Sequence, residues 1–288
     1  MKNKYLITGA KGQLGSDLIN QLKERGFEAV GTDIDDTDIT DKDSVMKKFE
    51  EVKPNVVIHC AAWTAVDAAE DAENKDKVYS VNAIGTKNIA EACKKYDCKM
   101  TYIGTDYVFS AKDDEPISPD CKDFAPLNYY GETKYLGEKA VSETLEKFFV
   151  VRIAWVFGKN GNNFIKTMLR LSENHTELRV VSDQIGTPTY TYDLARLLID
   201  ISESDKYGFY HATNEGGYIS WYDFAKEIFA LAKKDVKVIP VTTEEYGLSK
   251  AKRPLNSRLD KSKLKENGFT PLPDWQDALK RYISEMNI

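Results

Sequence analysis

Five apolar runs in the first half of the chain, KYLITGA, EAVGTD, NVVIHCAA, KMTYIGTDYVF and FFVVRIAWVFG, are each separated from the next by a stretch of helical periodicity, and that pattern leaves few folds open. Alternation of this kind builds βαβ units and therefore a parallel sheet. NVVIHCAA is apolar at consecutive positions rather than alternate ones, as expected of a strand covered by helices on both faces. The chain reads as α/β with a doubly wound parallel sheet of the Rossmann type. After about Val156 the rhythm loosens. NNFIKTMLRL and SWYDFAKEIFALAKK read as amphipathic helices, with short strands LRVVSD, GFYHAT and VKVIPV between them. We expect one domain over residues 1–155 and a smaller C-terminal α+β domain over 156–288, with part of 188–204, the helix TYDLARLLIDIS, packed back on the first.

With 288 residues the chain can bury a large core. Its formal charge of -6, from 46 acidic and 40 basic residues with no Lys/Arg tract, argues against nucleic acid as a partner. No apolar leader of roughly 7–15 residues follows the first methionine and no apolar run reaches about 18 residues, so no membrane segment and a cytoplasmic location are expected. The four cysteines have no C-x-x-C spacing, and His59, His175 and His211 are scattered, so no protein-built metal site is expected. Cys60 and Cys93 read as small buried residues, Cys98 and Cys121 as thiols nearer the surface.

TGAKGQLG sets Gly9, Gly12 and Gly15 between the first strand and the amphipathic helix QLGSDLINQLKERG. Glycine permits a tight turn and brings backbone N–H groups close to a pyrophosphate, whose charge the helix N-terminus favours. A glycine triplet alone is weak evidence, but here it has the strand–turn–helix setting that dinucleotide binding requires. Lys11, Gln13 and Leu14 complete that loop. Eighteen residues past Gly15 the second strand is expected to end at Asp33, whose carboxylate can accept both ribose hydroxyls of an adenosine and repel a 2′-phosphate. With no basic residue close to it in sequence, NADH is expected to be preferred, NADPH remaining possible.

NYYGETKYLGEK holds the spacing Tyr-x-x-x-Lys twice, as Tyr130/Lys134 and Tyr135/Lys139. Positions i and i+4 of a helix share a face, so the faces decide. That of Tyr130 and Lys134 continues through Gly137, Val141 and Leu145 and turns inward; that of Tyr135 and Lys139 continues through Glu138, Ser142 and Glu146, a solvated stripe. Pro126 and Asn128 mark a helix start, putting Tyr130 near the first turn, and Gly131 beside it allows close approach. An ammonium next to a phenol favours the phenolate, so Tyr130 and Lys134 read as a general acid and its tuning cation, with Thr105 as a polar strand end beside them.

These features together resemble the extended short-chain dehydrogenase/reductase family over essentially the whole chain. GAKGQLG, HCAAWTAVDAAE, GTDYVFS, NYYGETKYLGE, RIAWVFGKNGNNFIKTML, DQIGTPT and RPLNSRLD are similar to its branch that reduces dTDP-4-dehydro-L-rhamnose. The resemblance implies hydride transfer from a nicotinamide to the sugar 4-keto group. It gives Tyr130 as proton donor, Lys134 as the residue that tunes it and holds the ribose, and Thr105 as a hydrogen-bond partner of the C4 oxygen. It assigns Asp38 and Ile39 to the adenine, and Cys60, Ala61, Ala62, Trp63 and Ile103 to the cofactor path; Trp63 stands where many relatives carry histidine. Val66, Asp106, Tyr107 and Trp155 are implied sugar contacts, and Arg258 a diphosphate or nucleotide contact. The implied partner is a small nucleotide-sugar, the protein itself a monomer or homodimer. A 4,6-dehydratase of the same family would carry Glu where Tyr107 follows Asp106, an epimerase would carry Ser-Ser or Ser-Thr where Gly104 and Thr105 stand, and a regulatory subunit would bind dinucleotide without turnover.

Overall fold

The computed structural model describes residues 2–110 and 113–286. β1 (Lys4–Thr8), β2 (Glu28–Thr32), β3 (Val56–His59), β4 (Lys99–Thr105) and β5 (Phe148–Ile153) follow the five apolar runs and pair in parallel, and strand Gly208–His211 joins beyond β5 as the sixth. The order across the sheet is Gly208–His211, β5, β4, β3, β1, β2. Succession reverses between β1 and β3, and a doubly wound sheet opens a crevice at the carboxyl ends of the strands at such a point. Gly9 and Cys60, the first residues past β1 and β3, therefore meet at the crevice floor.

Successive strand residues point to opposite faces, so each strand feeds two cores. Tyr5, Ile7, Val56, Ile58, Phe149 and Val151 face α1 (Gln13–Glu24) through Leu14, Leu18 and Leu22, and helix Thr191–Ser202 through Leu194, Leu197, Leu198 and Ile201. Leu6, Val57, Met100, Tyr102 and Val150 face α2 (Lys42–Val52) through Val45, Phe49 and Val52, and also helices Thr86–Lys95 and Tyr129–Thr144. GFYHAT thus completes the main sheet and TYDLARLLIDIS covers it, so two segments from the second half of the chain belong to the first layer. A third core holds the remaining C-terminal elements, among them helices Phe164–Leu171, Trp221–Leu231 and Trp275–Glu285, with the parallel strands Glu177–Val181 and Lys237–Val241. No helix among the described residues is long and apolar enough to cross a membrane.

Three local expectations need correction. β2 closes at Thr32, so Asp33 begins the following turn. Cys98 is as buried as Cys93, because the chain reverses between them with Asp97 in a left-handed conformation and the Cys98 thiol donates to the Pro54 carbonyl. Glu138, placed by periodicity on a solvated stripe, is 2% exposed, and its carboxylate takes Nε and Nη2 of Arg152 on β5. Arg152 also donates to the Pro119 carbonyl, and its Nη1 stands 3.2 Å from Nε2 of His211. Arginine has only donors to offer, so Nε2 of His211 accepts and Nδ1–H donates to the Ile117 carbonyl. Removing one partner of a buried ion pair strands the other charge at a cost of about 3–5 kcal/mol. Glu138→Ala is accordingly expected to lose that much unfolding free energy, read from denaturant titration against wild type.

Candidate functional site

A cleft of about 960 Å³ runs across the carboxyl ends of β1, β3, β4 and β5 and is walled on its far side by Trp221, Phe164 and Arg253. That is the upper end of the range for small-ligand sites, as a dinucleotide and a second substrate side by side require.

At the β1 end, Gly9 takes φ +65°, and a Cβ there would stand 2.8 Å from the Ala61 amide nitrogen. A Cβ on Gly15 would stand 2.2 Å from the Gly9 carbonyl oxygen. Gly12 begins α1 with no side-chain cap, and no acidic side chain sits in the first turn, so the orphan N–H groups and the helix dipole are left facing the cleft. A turn this tight over uncapped donors suits a pyrophosphate. Asp33 is aimed by its own backbone contacts, Oδ2 accepting the Lys11 amide at 3.0 Å and Oδ1 the Ile34 amide at 2.9 Å. Sequence reading found no cation near Asp33, but the loop folds back so that the Lys11 ammonium reaches Asp35 at 2.6 Å. Asp38, held by Thr40, and Ile39 line the same edge.

The strand ends supply the floor. Cys60, Ala61, Ala62, Trp63 and Ile103 all line the cleft, with burial pushing the Cys60 thiol up to about 12. Asn82, which sequence reading did not single out, accepts the Trp63 amide at 2.8 Å and donates to the Trp63 carbonyl. It lies in a π-helical turn over Ser80–Gly85, a geometry frequent at functional sites. No sequence signal marks it, since a π turn has the composition of the helix it interrupts.

The candidate chemical centre stands on β4 and helix Tyr129–Thr144. Asn128 caps that helix by accepting the Gly131 amide at 2.8 Å, and a Cβ on Gly131 would lie 2.3 Å from the Tyr107 carbonyl oxygen, so the first turn is pressed against the end of β4. Tyr130 and Lys134 line the cleft. Tyr135 stacks on Phe124 and Lys139 pairs with Glu143 outside it, which separates the two Tyr/Lys spacings. The Lys134 ammonium donates to the Ile103 carbonyl at 2.7 Å and lies 4.2 Å from the Tyr102 ring centroid. Burial brings it down to about 7, opposed by Glu138 one turn on. Burial first, and then the Asp106 carboxylate, push the Tyr130 hydroxyl well up, with Thr105 opposing. Tyr130 is therefore a fully protonated phenol at neutral pH, and the cation meant to acidify it is directed elsewhere.

Beyond this centre, Val66, Asp106, Tyr107 and Trp155 all reach the cleft. Tyr107 meets Tyr130 edge to face at 5.7 Å. Trp155 has φ +50°, an uncommon conformation for a bulky residue, and its indole stacks at 3.7 Å on that of Trp221. A Cβ on Gly186 would come within 3.0 Å of the Trp155 ring. Arg258 is not at the cleft: it pairs with Asp114 and Asn256. Arg253 is, held bidentately by Asp67 at 2.7 and 3.1 Å. The chain bends at Leu255 and enters the short strand Asn256–Ser257 between the two arginines, and only the first of them is left at the cleft.

The sequence profile described as RmlD substrate binding domain matches residues 3–288. A dTDP-4-dehydrorhamnose reductase of Aggregatibacter actinomycetemcomitans is 42% identical over 96% of this chain and 97% of its own. Two crystal structures superpose with TM-scores of 0.94. One is a dTDP-4-dehydrorhamnose reductase of Clostridium acetobutylicum, 46% identical over 99% of this chain and 100% of that one. The other is a dTDP-4-dehydrorhamnose reductase of Bacillus anthracis in complex with NADP, 42% identical over the same shares.

Because the Cβ of Gly15→Ala would meet backbone rather than a movable side chain, the glycine loop must shift to admit it. Dinucleotide affinity is expected to fall by about tenfold or more. Isothermal titration with NADH and NADPH checks this, with circular dichroism confirming an intact fold.

Proposed function

The chain belongs to the dTDP-4-dehydrorhamnose reductase family, whose profile it matches from end to end, and from that premise we propose that it reduces the 4-keto group of dTDP-4-dehydro-L-rhamnose to give dTDP-L-rhamnose in the cytoplasm. The observation that carries the reading is the meeting of Tyr130, Lys134 and Thr105 with the Gly9–Gly15 turn in one cleft.

The cofactor is a nicotinamide dinucleotide, which when bound supplies the hydride that arrives at C4. The protein's own part is positioning and proton delivery. Tyr130 gives its hydroxyl proton to the C4 oxygen, and a phenol held protonated by burial and by Asp106 is suited to that direction of reaction. Thr105 turns its one hydroxyl proton from Asp106 Oδ1 to the same oxygen, where charge develops in the transition state. Lys134, its ammonium brought down by burial, leaves the Ile103 carbonyl for the ribose hydroxyls. Asp106, Tyr107, Val66 and Trp155 hold the sugar. Arg253, rather than Arg258, takes the diphosphate, because its guanidinium lies in the cleft within reach of the Tyr107 hydroxyl. Elimination is disfavoured because Tyr107 stands where a dehydratase needs a carboxylate base.

Asp33 at the adenosine ribose favours NADH, while Lys11, exposed at the same edge, can leave Asp35 for the 2′-phosphate that distinguishes NADPH. NADH is the preferred donor and NADPH an accepted one.

The test is loss of absorbance at 340 nm with dTDP-4-dehydro-L-rhamnose generated in place, with the product identified by its C4 configuration. Consumption yielding dTDP-L-rhamnose supports the reading, and cofactor binding without consumption overturns it. Tyr130→Phe should lower kcat by about 10²–10⁴-fold while leaving the dinucleotide Kd within about threefold, measured by single-turnover kinetics and titration. Lys11→Ala should raise KM for NADPH by about fivefold or more and leave that for NADH nearly unchanged, in line with the loss of one exposed charge contact.

A further inference from the structure

Two residues from near the end of the chain, Asn256 and Ser257, form a short strand that pairs with Ile185–Gly186 and reaches under the sugar side of the cleft. Ser257 is buried, and its hydroxyl donates to Asp106 Oδ2 at 2.6 Å. The other oxygen of that carboxylate, Oδ1, accepts from Thr105 at 3.1 Å. Thr105 in turn accepts the Tyr107 amide and reaches the Tyr130 hydroxyl. A chain of polar contacts therefore runs from the buried Ser257 through Asp106 and Thr105 to Tyr130 at the cleft wall. Asn256 next door does a separate job, donating to the carbonyls of Asp113 and Glu115.

We propose that Ser257 is a positioning residue of the reaction, its hydroxyl holding the Asp106 carboxylate ionised and in one orientation beside Tyr130. The proposal rests on the keto-reduction reading above. An ionised Asp106 does two things: it accepts a sugar hydroxyl, and its charge keeps the nearby phenol protonated. The groups facing it are Tyr130 from helix Tyr129–Thr144, Tyr107 from its own turn with Arg253 at that hydroxyl, and Lys134 held three residues back on Ile103. Among the described residues no cation pairs with Asp106, so its charge depends on the Ser257 and Thr105 hydroxyls and, after them, the backbone amides of Asp106 and Tyr107. Burial already holds the carboxyl up at about 6, with Ser257 and then Thr105 opposing, so losing the Ser257 donor drives it further up.

A hydrogen bond to an ionised group is worth about one pH unit in the titration of its acceptor. In Ser257→Ala the acid limb of kcat/KM is expected to move up by about one unit, so activity falls about fivefold at pH 6, approaches a tenfold loss at about pH 5 and is nearly unchanged at pH 8. Ser257→Thr, which keeps the hydroxyl, should restore the wild-type limb. Asn256→Ala serves as the structural control, with a lower Tm and an unmoved limb. Independently of turnover, the carboxyl ¹³C resonance of Asp106, assigned by its absence in Asp106→Asn, should titrate about one unit higher in Ser257→Ala than in wild type. If Ser257→Ala lowers Tm but leaves both the limb and the resonance in place, Ser257 is a packing residue and the proposal fails. Should the wild-type protein reduce no keto sugar, the reading of the reaction fails, while the carboxyl titration still decides whether Ser257 holds Asp106.

Discussion

Arg152 has no access to water, and a guanidinium in that position is tolerable only while its charge is paired and hydrogen-bonded. Glu138 pairs the charge, the Pro119 carbonyl and His211 take further N–H groups, and Phe109 and Phe209 pack against its faces. These partners come from different parts of the chain: helix Tyr129–Thr144, the segment after β4, and the strand that completes the sheet. Meeting at one cation fixes their spacing. Gly104 is part of the same fit, since a Cβ there would stand 2.9 Å from Cγ of Arg152. Glu138 is one turn beyond Lys134 and two beyond Tyr130, so the pair that joins helix to sheet also sets where the lysine and the phenol stand.

The other half of the site depends on the chain returning. Ser257 reaches Asp106, Arg253 reaches Asp67, and Asn128, the cap of the helix that carries Tyr130, donates to the Lys252 carbonyl. Lys250 adds an exposed pair with Asp71, of little energetic weight. Segment 250–257 thus contacts three of the pieces that face the sugar side of the cleft. Trp155 depends on it too, because Gly186 lies between Ser257 and the indole and would collide with both if it carried a side chain. A left-handed tryptophan persists only where the surroundings over-determine it, and the Trp221 stack on one side with the Gly186 gap on the other do so.

Much of this was legible from residue order alone, because the determining patterns are local. Consecutive apolar positions announced buried parallel strands, three glycines between strand and helix announced the turn over α1, and the i, i+4 rule separated Tyr130/Lys134 from Tyr135/Lys139. What failed had partners distant in sequence. Glu138 shares a helical face with exposed residues, and only Arg152, brought over by β5, makes that position dry. Lys11 lies more than twenty residues before Asp35, and a loop that folds back is needed to put its charge beside it. Arg253 and Arg258 are equal candidates on paper until Asp67 holds the first at the cleft and Asp114 takes the second away from it.

Periodicity, glycine spacing and the Tyr/Lys motif were enough to imply a doubly wound sheet, a dinucleotide turn and a proton donor, since each is a rule about neighbours within a few residues. They could not say that GFYHAT would be the sixth strand, that Lys134 would lie on Ile103 rather than against Tyr130, or that Ser257 would hold Asp106. Those are contacts between segments that the chain must first fold to bring together. Their energies come from burial and desolvation, which have no value until the surrounding layers are in place.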